Sequence, residues 1–191
     1  MRRIGFVLFL LIVCPSLLMQ AQTPPAKPDS EIKLLQILVG HWRYEGEYRS
    51  GPLGPGGKVT GEYIGEMILG GVFFRGRWTE KGPAGLIQGL EIKWYDPENK
   101  QFASHAYQSD GTVLAGTFTV NGNTETWSGK IPAGEKQYLL RATSVVAADL
   151  ISMVQKGEVS ENGNSWAVLW EEKFTKVRPD HERQLGVKHQ R

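Results

Sequence analysis

Three side chains of this sequence have the chemistry to hold or change a small molecule. His105 and Tyr107 are two residues apart in "FASHAYQ", so they share one face if that segment is a strand. Arg141 lies between Leu139 and Thr143 on one face of another predicted strand, where its guanidinium could bind a ligand carboxylate. If these faces point inward, they predict polar anchors in a ligand pocket, or acid–base groups of an isomerase or decarboxylase. If they point outward, the same groups are ordinary surface or hydrogen-bonded side chains.

Aromatic side chains give a second set of candidates. Trp94 and Trp127 each lie in an alternating segment, and indole rings often line the wall of an apolar pocket. Barrel cores are built from the same residues, so each ring is a candidate for the core as well as for a ligand wall. The ligand-binding candidates are His105, Tyr107, Arg141, Trp94 and Trp127.

Motifs for phosphate binding, metal binding and covalent catalysis do not occur in the sequence. In "GPLGPGGK", a phosphate loop ending at Gly57 and Lys58 would need glycine at 52 and Ser or Thr at 59, where the chain has Pro52 and Val59. No two of the four histidines have the spacing of a zinc site. "TWSGK" lacks the Gly-x-Ser-x-Gly pattern of a nucleophile elbow. We therefore expect a hairpin loop before Lys58, no metal and no catalytic nucleophile.

The N-terminal residues predict export. Arg2 and Arg3 precede an apolar run over residues 4–13, and Ala21 comes before the polar, proline-rich segment "QTPPAKPD". An apolar run of about ten residues is short for a membrane span. Residues 1–21 are therefore predicted to be a signal peptide, with no integral membrane segment after its removal and a periplasmic or secreted mature protein.

The only cysteine, Cys14, lies within this predicted signal peptide. A lipid-modified cysteine would follow a small residue, but Val13 precedes Cys14 and Pro15 follows it, so a plain signal peptide is favoured over a lipid anchor. The mature chain would then have no thiol and no disulfide.

The charge of the mature chain argues against a nucleic-acid partner. The whole sequence has 22 basic and 20 acidic residues, and removal of Arg2 and Arg3 leaves a formally neutral protein. A neutral chain without a stripe of Lys and Arg is also unsuited to electrostatic recruitment by a membrane surface. A small apolar molecule is the expected partner, and the oligomeric state stays open.

The mature chain is long enough for one domain with a substantial core. Residues 22–29 are predicted to be an extended linker because prolines exclude helix there. Residues 30–178 form the predicted domain. Residues 179–191 are polar with few apolar anchors and are predicted to be a flexible tail.

The periodicity of the sequence changes at Gly40. Ile32, Leu35 and Leu38 recur at helical spacing and predict one short helix that ends at this glycine. After Gly40, apolar and charged residues alternate, beginning with Trp42, which predicts a half-buried strand. Nine further strands are predicted at 57–69, 72–80, 85–95, 101–109, 112–120, 124–130, 136–146, 149–158 and 165–177.

Turn signals connect these strands into an antiparallel meander. Asp110-Gly111, Asn121-Gly122 and Asn162-Gly163 each separate two alternating runs, as in β-hairpins. A sheet of about ten strands avoids two exposed edges by closing, so an all-β, up-and-down barrel is favoured over a two-sheet sandwich. Such a barrel can hold one small ligand. Carboxylates are expected on outward strand positions and turns.

A helix followed by Gly40-x-Trp42 and a long first strand resembles the start of the calycins, which include the lipocalins and the fatty-acid-binding-like barrels. The resemblance implies that a basic residue of the last strand, Lys173, Lys176 or Arg178, lies over Trp42 in a cation–π contact. No cofactor is expected. Haem ligation by His105, as in haem-binding members of neighbouring barrel families, is the alternative that the resemblance adds.

The remaining motifs narrow the resemblance. "GGVFFRGRW", "QGLEIKWYDPENKQFASHAYQSDGT", "TETWSGK" and "WEEKFTKV" follow one another in the order found in the bacterial family called domain of unknown function 1579. The resemblance covers about residues 31–178 and implies a lipocalin-like barrel, often exported, without an established activity. The glycine-rich insert "SGPLGPGG" and His105, near where relatives often have Trp, depart from the family's pattern.

Together these features predict an exported, lipocalin-like barrel that binds a small, largely apolar ligand without transforming it. Two alternatives remain. An interaction or structural module of the cell envelope would fill its barrel with its own side chains and expose an apolar patch. An isomerase or decarboxylase would bring at least two of His105, Tyr107 and Arg141 together in the interior.

Overall fold

The computed structural model describes residues 35–177. The predicted signal peptide, linker and tail, and the first residues of the predicted helix, lie outside the described residues. Within residues 35–177, no helix has the length and apolar character needed to cross a membrane. The ten strands are β1 (Gly40–Tyr48), β2 (Gly57–Ile68), β3 (Phe73–Gly82), β4 (Gly85–Asp96), β5 (Gln101–Gln108), β6 (Val113–Asn121), β7 (Thr124–Ala133), β8 (Lys136–Val146), β9 (Ser152–Ser160) and β10 (Ala167–Lys176).

The strands form one closed antiparallel barrel. Each strand pairs with the next, and β1 also pairs with β10, so that Trp42 is opposite Lys176 and Tyr48 is opposite Trp170. Closure leaves the sheet without an exposed edge. The predicted up-and-down barrel is confirmed, and the alternative of a two-sheet sandwich is wrong.

Along each strand, side chains alternate between the inner and the outer face of the barrel. In β1, Trp42 and Tyr44 are buried, whereas Arg43 and Glu45 are exposed, as the sequence pattern predicts. The short helical turn at residues 35–37 is the described end of the predicted helix.

The buried aromatic core fills the end of the barrel where β1 begins. The indole Nε1 of Trp42 donates a hydrogen bond to the carbonyl oxygen of Leu38 at 3.0 Å, so the residues after the helical turn are held against this end. Trp42 and Phe74 are completely buried, and Phe102 and Phe118 lie beside them in the same cluster. This end of the barrel is therefore closed.

Strand β9 begins three residues later than the sequence pattern predicts. The pattern places a strand over 149–158, but β9 begins at Ser152. The reason is local: Oδ1 of Asp149 accepts hydrogen bonds from the backbone amides of Ile151 and Ser152, both at 2.9 Å. These side-chain hydrogen bonds form a turn at Asp149, so the pairing of β9 with its neighbouring strands begins only after this turn.

Candidate ligand-binding cavity

The barrel encloses a cavity of about 370 Å³. It extends from the closed core to the opposite end, where loop residues such as Leu53 and Pro83 line it. Of the loops at that end, 49–56, 83–84 and 109–112 contribute lining residues, and the first of them contains the glycine-rich insert. A cavity of this size is sufficient for a small ligand.

A buried lysine cluster occupies one wall of the cavity. The Nζ of Lys93 lies 2.6 Å from Oε1 of Glu125 and 3.6 Å from Oε1 of Glu91. Burial opposes the charge of Lys93, but the two carboxylates outweigh it and raise the pKa of Lys93. Burial also raises the pKa of Glu91, which accepts a hydrogen bond of 3.4 Å from the hydroxyl of Tyr63. Lys93 is therefore already paired within the protein.

A carboxyl pair, Glu80 and Glu172, lies on another wall. The hydroxyl of Tyr44 donates a hydrogen bond to Oε2 of Glu80 at 3.1 Å. Burial, with Glu80 nearby, raises the pKa of Glu172 to about 8. Glycines make room for Glu172 and for Tyr44. A Cβ at Gly46 would collide with Glu172, and a Cβ at Gly61 would collide with the Tyr44 ring.

Aromatic rings flank the carboxyl pair. The ring of Tyr44 stacks on Phe174 with centroids 4.7 Å apart, and Tyr48 lies 5.8 Å from Trp170. The indole of Trp170 donates a hydrogen bond to Oε1 of Gln155 at 3.2 Å. All five of these side chains line the cavity. The wall around the carboxyl pair is thus largely aromatic.

Trp127 is the one sequence-predicted candidate that lines the cavity. Its indole nitrogen donates a hydrogen bond to Oγ of Ser104 at 2.7 Å, and both residues are buried. A Cβ at either Gly116 or Gly129 would collide with the indole ring. The ring therefore lies flat over two neighbouring strands and forms an apolar wall.

His105, Tyr107 and Trp94 lie on the outer face of the barrel. The side chain of His105 packs edge-on against Trp94, with ring centroids 5.2 Å apart. The hydroxyl of Tyr107 is 3.4 Å from Nδ1 of His105, and Tyr107 is 45% exposed. The interior positions of the same strand are Phe102, Ser104 and Ala106. The inward placement considered for His105 and Tyr107 is therefore wrong.

Arg141 also lies outside. Its guanidinium is 2.7 Å from Oε2 of Glu158 and stacks over the Trp166 ring at 4.3 Å. Its inward neighbours on β8 are Leu140 and Ala142, which line the cavity. His105, Tyr107 and Arg141 thus do not converge in the interior, as the isomerase or decarboxylase hypothesis requires.

The placement of His105 also bears on haem. A haem iron in the cavity would need a ligand from the cavity wall, and His105 is on the other side of the sheet. None of the lining residues in the described part of the chain is a histidine. The residues present do not fit haem ligation by His105.

Sequence reasoning missed the ionisable groups of the cavity. Carboxylates were expected on outward positions, but Glu125 and Glu172 are each only 5% exposed, as is Lys93. A signal for Glu172 was available, because it alternates with Trp170 and Phe174 and therefore shares their face. The expectation of outward carboxylates is wrong for Glu80, Glu91, Glu125 and Glu172, all of which line the cavity.

Comparisons with known proteins agree with the barrel. The model of the family described as "Protein of unknown function (DUF1579)" matches residues 27–176. No curated protein matches the chain.

Two solved structures are similar to this chain at low sequence identity. The crystal structure of Rv2717c from M. tuberculosis matches with 12% identity and a TM-score of 0.56, covering 77% of this chain and 97% of that chain. The S-type phycobiliprotein lyase CPES from Guillardia theta matches with 12% identity and a TM-score of 0.49, over 76% of this chain and 90% of that one. At 12% identity, the likeness to Rv2717c concerns the fold alone.

Proposed function

The chain belongs to the DUF1579 family of proteins of unknown function, and from its own barrel we propose that it binds one small, largely apolar ligand without transforming it. The observation that carries this proposal is the cavity of about 370 Å³ walled by Trp127, Leu140 and Met153. Apolar walls with a few polar groups are typical of small-molecule sites.

The cavity also argues against the alternative of a barrel filled by its own side chains. Core side chains normally pack without voids larger than a water molecule. Here glycines at 116 and 129 keep the indole of Trp127 flat against the wall, where larger residues would push it inward. An open interior is therefore part of how this sequence packs, which supports a carrier more than an interaction module.

We propose that the protein acts in the periplasm or outside the cell. Arg2, Arg3 and the apolar run over residues 4–13 support this proposal. Intact-mass measurement of the protein from its own cells tests it, because export predicts a chain that begins at residue 22. A mature protein that retains residues 1–21 would contradict export by signal cleavage.

Native mass spectrometry tests ligand binding. Protein purified from its own envelope fraction is expected to show an added mass of one small molecule per chain, and denaturing extraction then identifies it. An apo mass that does not change when apolar probes such as decanol are added would contradict the proposal.

Acid–base catalysis is a second candidate, and one observation favours it. Glu172 faces the cavity with a pKa of about 8, so it can gain or lose a proton near neutral pH. If the copurified ligand is converted to a second compound on incubation, Glu172→Gln is expected to stop the conversion even at a saturating ligand concentration. Conversion that continues in this variant would exclude Glu172 as the acid–base group.

A further inference from the structure

One carboxyl group in the cavity wall, that of Glu172, has no protein partner among the described residues, and one oxygen of a second, Glu125, has none. Within residues 35–177, the side-chain carboxyl group of Glu172 makes no hydrogen bond and no ion pair, although the residue is only 5% exposed. Oε2 of Glu125 is also buried without a hydrogen-bond partner, while its Oε1 is held by Lys93. Buried polar groups in folded proteins are normally paired, so each exception calls for a partner that the chain does not supply.

The charges that line the cavity are unequal. Among the described residues, its interior is lined by four glutamates, Glu80, Glu91, Glu125 and Glu172, against the single lysine Lys93. Lys93 is already paired with Glu125 and lies near Glu91, so it leaves the carboxyl pair Glu80 and Glu172 without a cation. At the cavity mouth, Arg49 lies 3.7 Å from the outer carboxylate of Glu171.

The groups around Glu172 are suited to a positive charge. Glu80 faces it from β3, and Tyr44 and Tyr48 face it from β1. On the β9 side, the neighbouring group is the uncharged side chain of Gln155, which lines the same cavity. Carboxylates attract an ammonium directly, and the faces of aromatic rings attract it through their quadrupoles.

We propose that the ligand of this barrel is an amphipathic amine, whose ammonium group lies between Glu172 and Glu80 and whose apolar body extends toward Trp127. The proposal rests on the proposed function, since it names the class of ligand for the same cavity. Glu172 gives the ammonium a charged acceptor that has no competing partner. Trp127 and Leu140 give the apolar body two uncharged side chains to contact.

Binding of such an amine is coupled to a proton. Below about pH 8, Glu172 is largely protonated in the free protein, and an arriving ammonium favours its ionised form. The proton is then released to the buffer, so the affinity rises with pH by up to about tenfold per unit between about pH 6 and about pH 8. An alkylammonium stays charged over this range, because its pKa is close to that of lysine.

Titration calorimetry with three probes of equal chain length tests the proposal. Decylamine, decanol and decanoate carry a cationic, a neutral and an anionic head group on the same apolar body. Decylamine is expected to bind about tenfold or more tightly than decanol, the strength of a charge-assisted hydrogen bond. Decanoate is expected to bind most weakly. Comparing buffers of different ionisation enthalpy measures the released proton.

Glu172→Gln is the decisive variant, and Glu171→Gln is its matched control, since Glu171 is exposed on the outer face of the same strand. The first change is expected to remove the preference for decylamine and the proton release, and the second to leave both unchanged. A preference that survives in Glu172→Gln overturns the assignment. If that variant does not fold, the pH profile of the unaltered protein decides, and a decylamine affinity independent of pH overturns the proposal.

The remaining outcomes separate this inference from the proposed function. If decanol binds as tightly as decylamine, or decanoate binds most tightly, the ligand is not a cation, but the barrel still binds an apolar molecule. If none of the three probes binds, the proposed function itself fails.

Discussion

The ammonium group of Lys176 lies 5.0 Å from the centroid of the Trp42 ring and donates a hydrogen bond of 3.1 Å to the carbonyl oxygen of Ile37. Its side chain passes over Gly40, where a Cβ would collide with Cε of Lys176. The last strand is thereby attached to the first strand and to the helical turn. The predicted cation–π contact is confirmed, and Lys176 is the residue that makes it.

The Lys176 contact is expected to contribute to stability. Lys176→Met keeps much of the apolar stem but removes the cation–π contact and the hydrogen bond, so we expect the free energy of unfolding to fall by about 1–2 kcal/mol. Urea denaturation followed by tryptophan fluorescence measures the change. Lys173→Met is the control, because Lys173 is exposed on the outer face of β10. Equal losses in the two variants would contradict a specific role for Lys176.

The buried pair of Lys93 and Glu125 is expected to show strong coupling. Lys93→Met leaves Glu91 and Glu125 buried together without a cation, so we expect a loss of roughly 3–5 kcal/mol. Glu125→Gln should cost less, because Glu91 still faces Lys93 at 3.6 Å. The double variant Lys93→Met/Glu125→Gln is expected to lose less free energy of unfolding than the sum of the two single losses. Additive losses in a double-mutant cycle would mean that the pair does not interact.

The pH dependence of stability follows from the raised pKa of Glu172. The folded protein holds a proton on Glu172 up to about pH 8, whereas the ordinary value is 4.5, so the folded state binds more protons in this window. Stability is therefore highest near the acid end and falls as the pH rises toward 8. Glu80 and Glu91 have pKa values shifted in the same direction.

Denaturation at several pH values tests whether the free energy of unfolding falls as the pH rises. In Glu172→Gln, the slope between about pH 5 and about pH 8 is expected to be less negative by up to about 1.4 kcal/mol per pH unit, the value of one proton. Glu171→Gln should keep the slope of the unaltered protein. An identical slope in all three proteins would show that Glu172 ionises normally in the folded state.

The strands were predictable because hydrophobic alternation and turn chemistry agree locally. The inward face of a strand was harder to predict where both of its faces carry polar as well as apolar side chains. In β5, Ser104 and Ala106 point inward while His105 and Tyr107 point outward, so polarity alone favours neither face. In β8 the outward Arg141 has Leu139 and Thr143 on its own face, and the inner face has Leu140 and Ala142, so each face carries apolar residues.

The cavity acids could not be predicted by the usual expectation that charged residues are exposed. That expectation fails for Glu125 because its partner Lys93 is 32 residues away in sequence. It fails for Glu172 because the space it occupies depends on Gly46 of a strand at the other end of the chain. Pairing across the closed barrel sets both environments. The local alternation places Glu172 on the same face as Trp170 and Phe174, but it does not show the space that Gly46 provides.

Filling the cavity should remove ligand binding while the barrel stays folded. Ala106 and Ala103 lie on β5 with opposite orientations, and only Ala106 lines the cavity. Ala106→Phe is expected to weaken decanol binding by about tenfold or more, because its ring occupies the space that the ligand's apolar body needs. Ala103→Phe adds the same ring to the outer face and should leave binding unchanged. Fluorescence titration compares the two proteins, and circular dichroism verifies that both are folded. If both variants bind decanol like the unaltered protein, apolar molecules occupy a site other than this cavity.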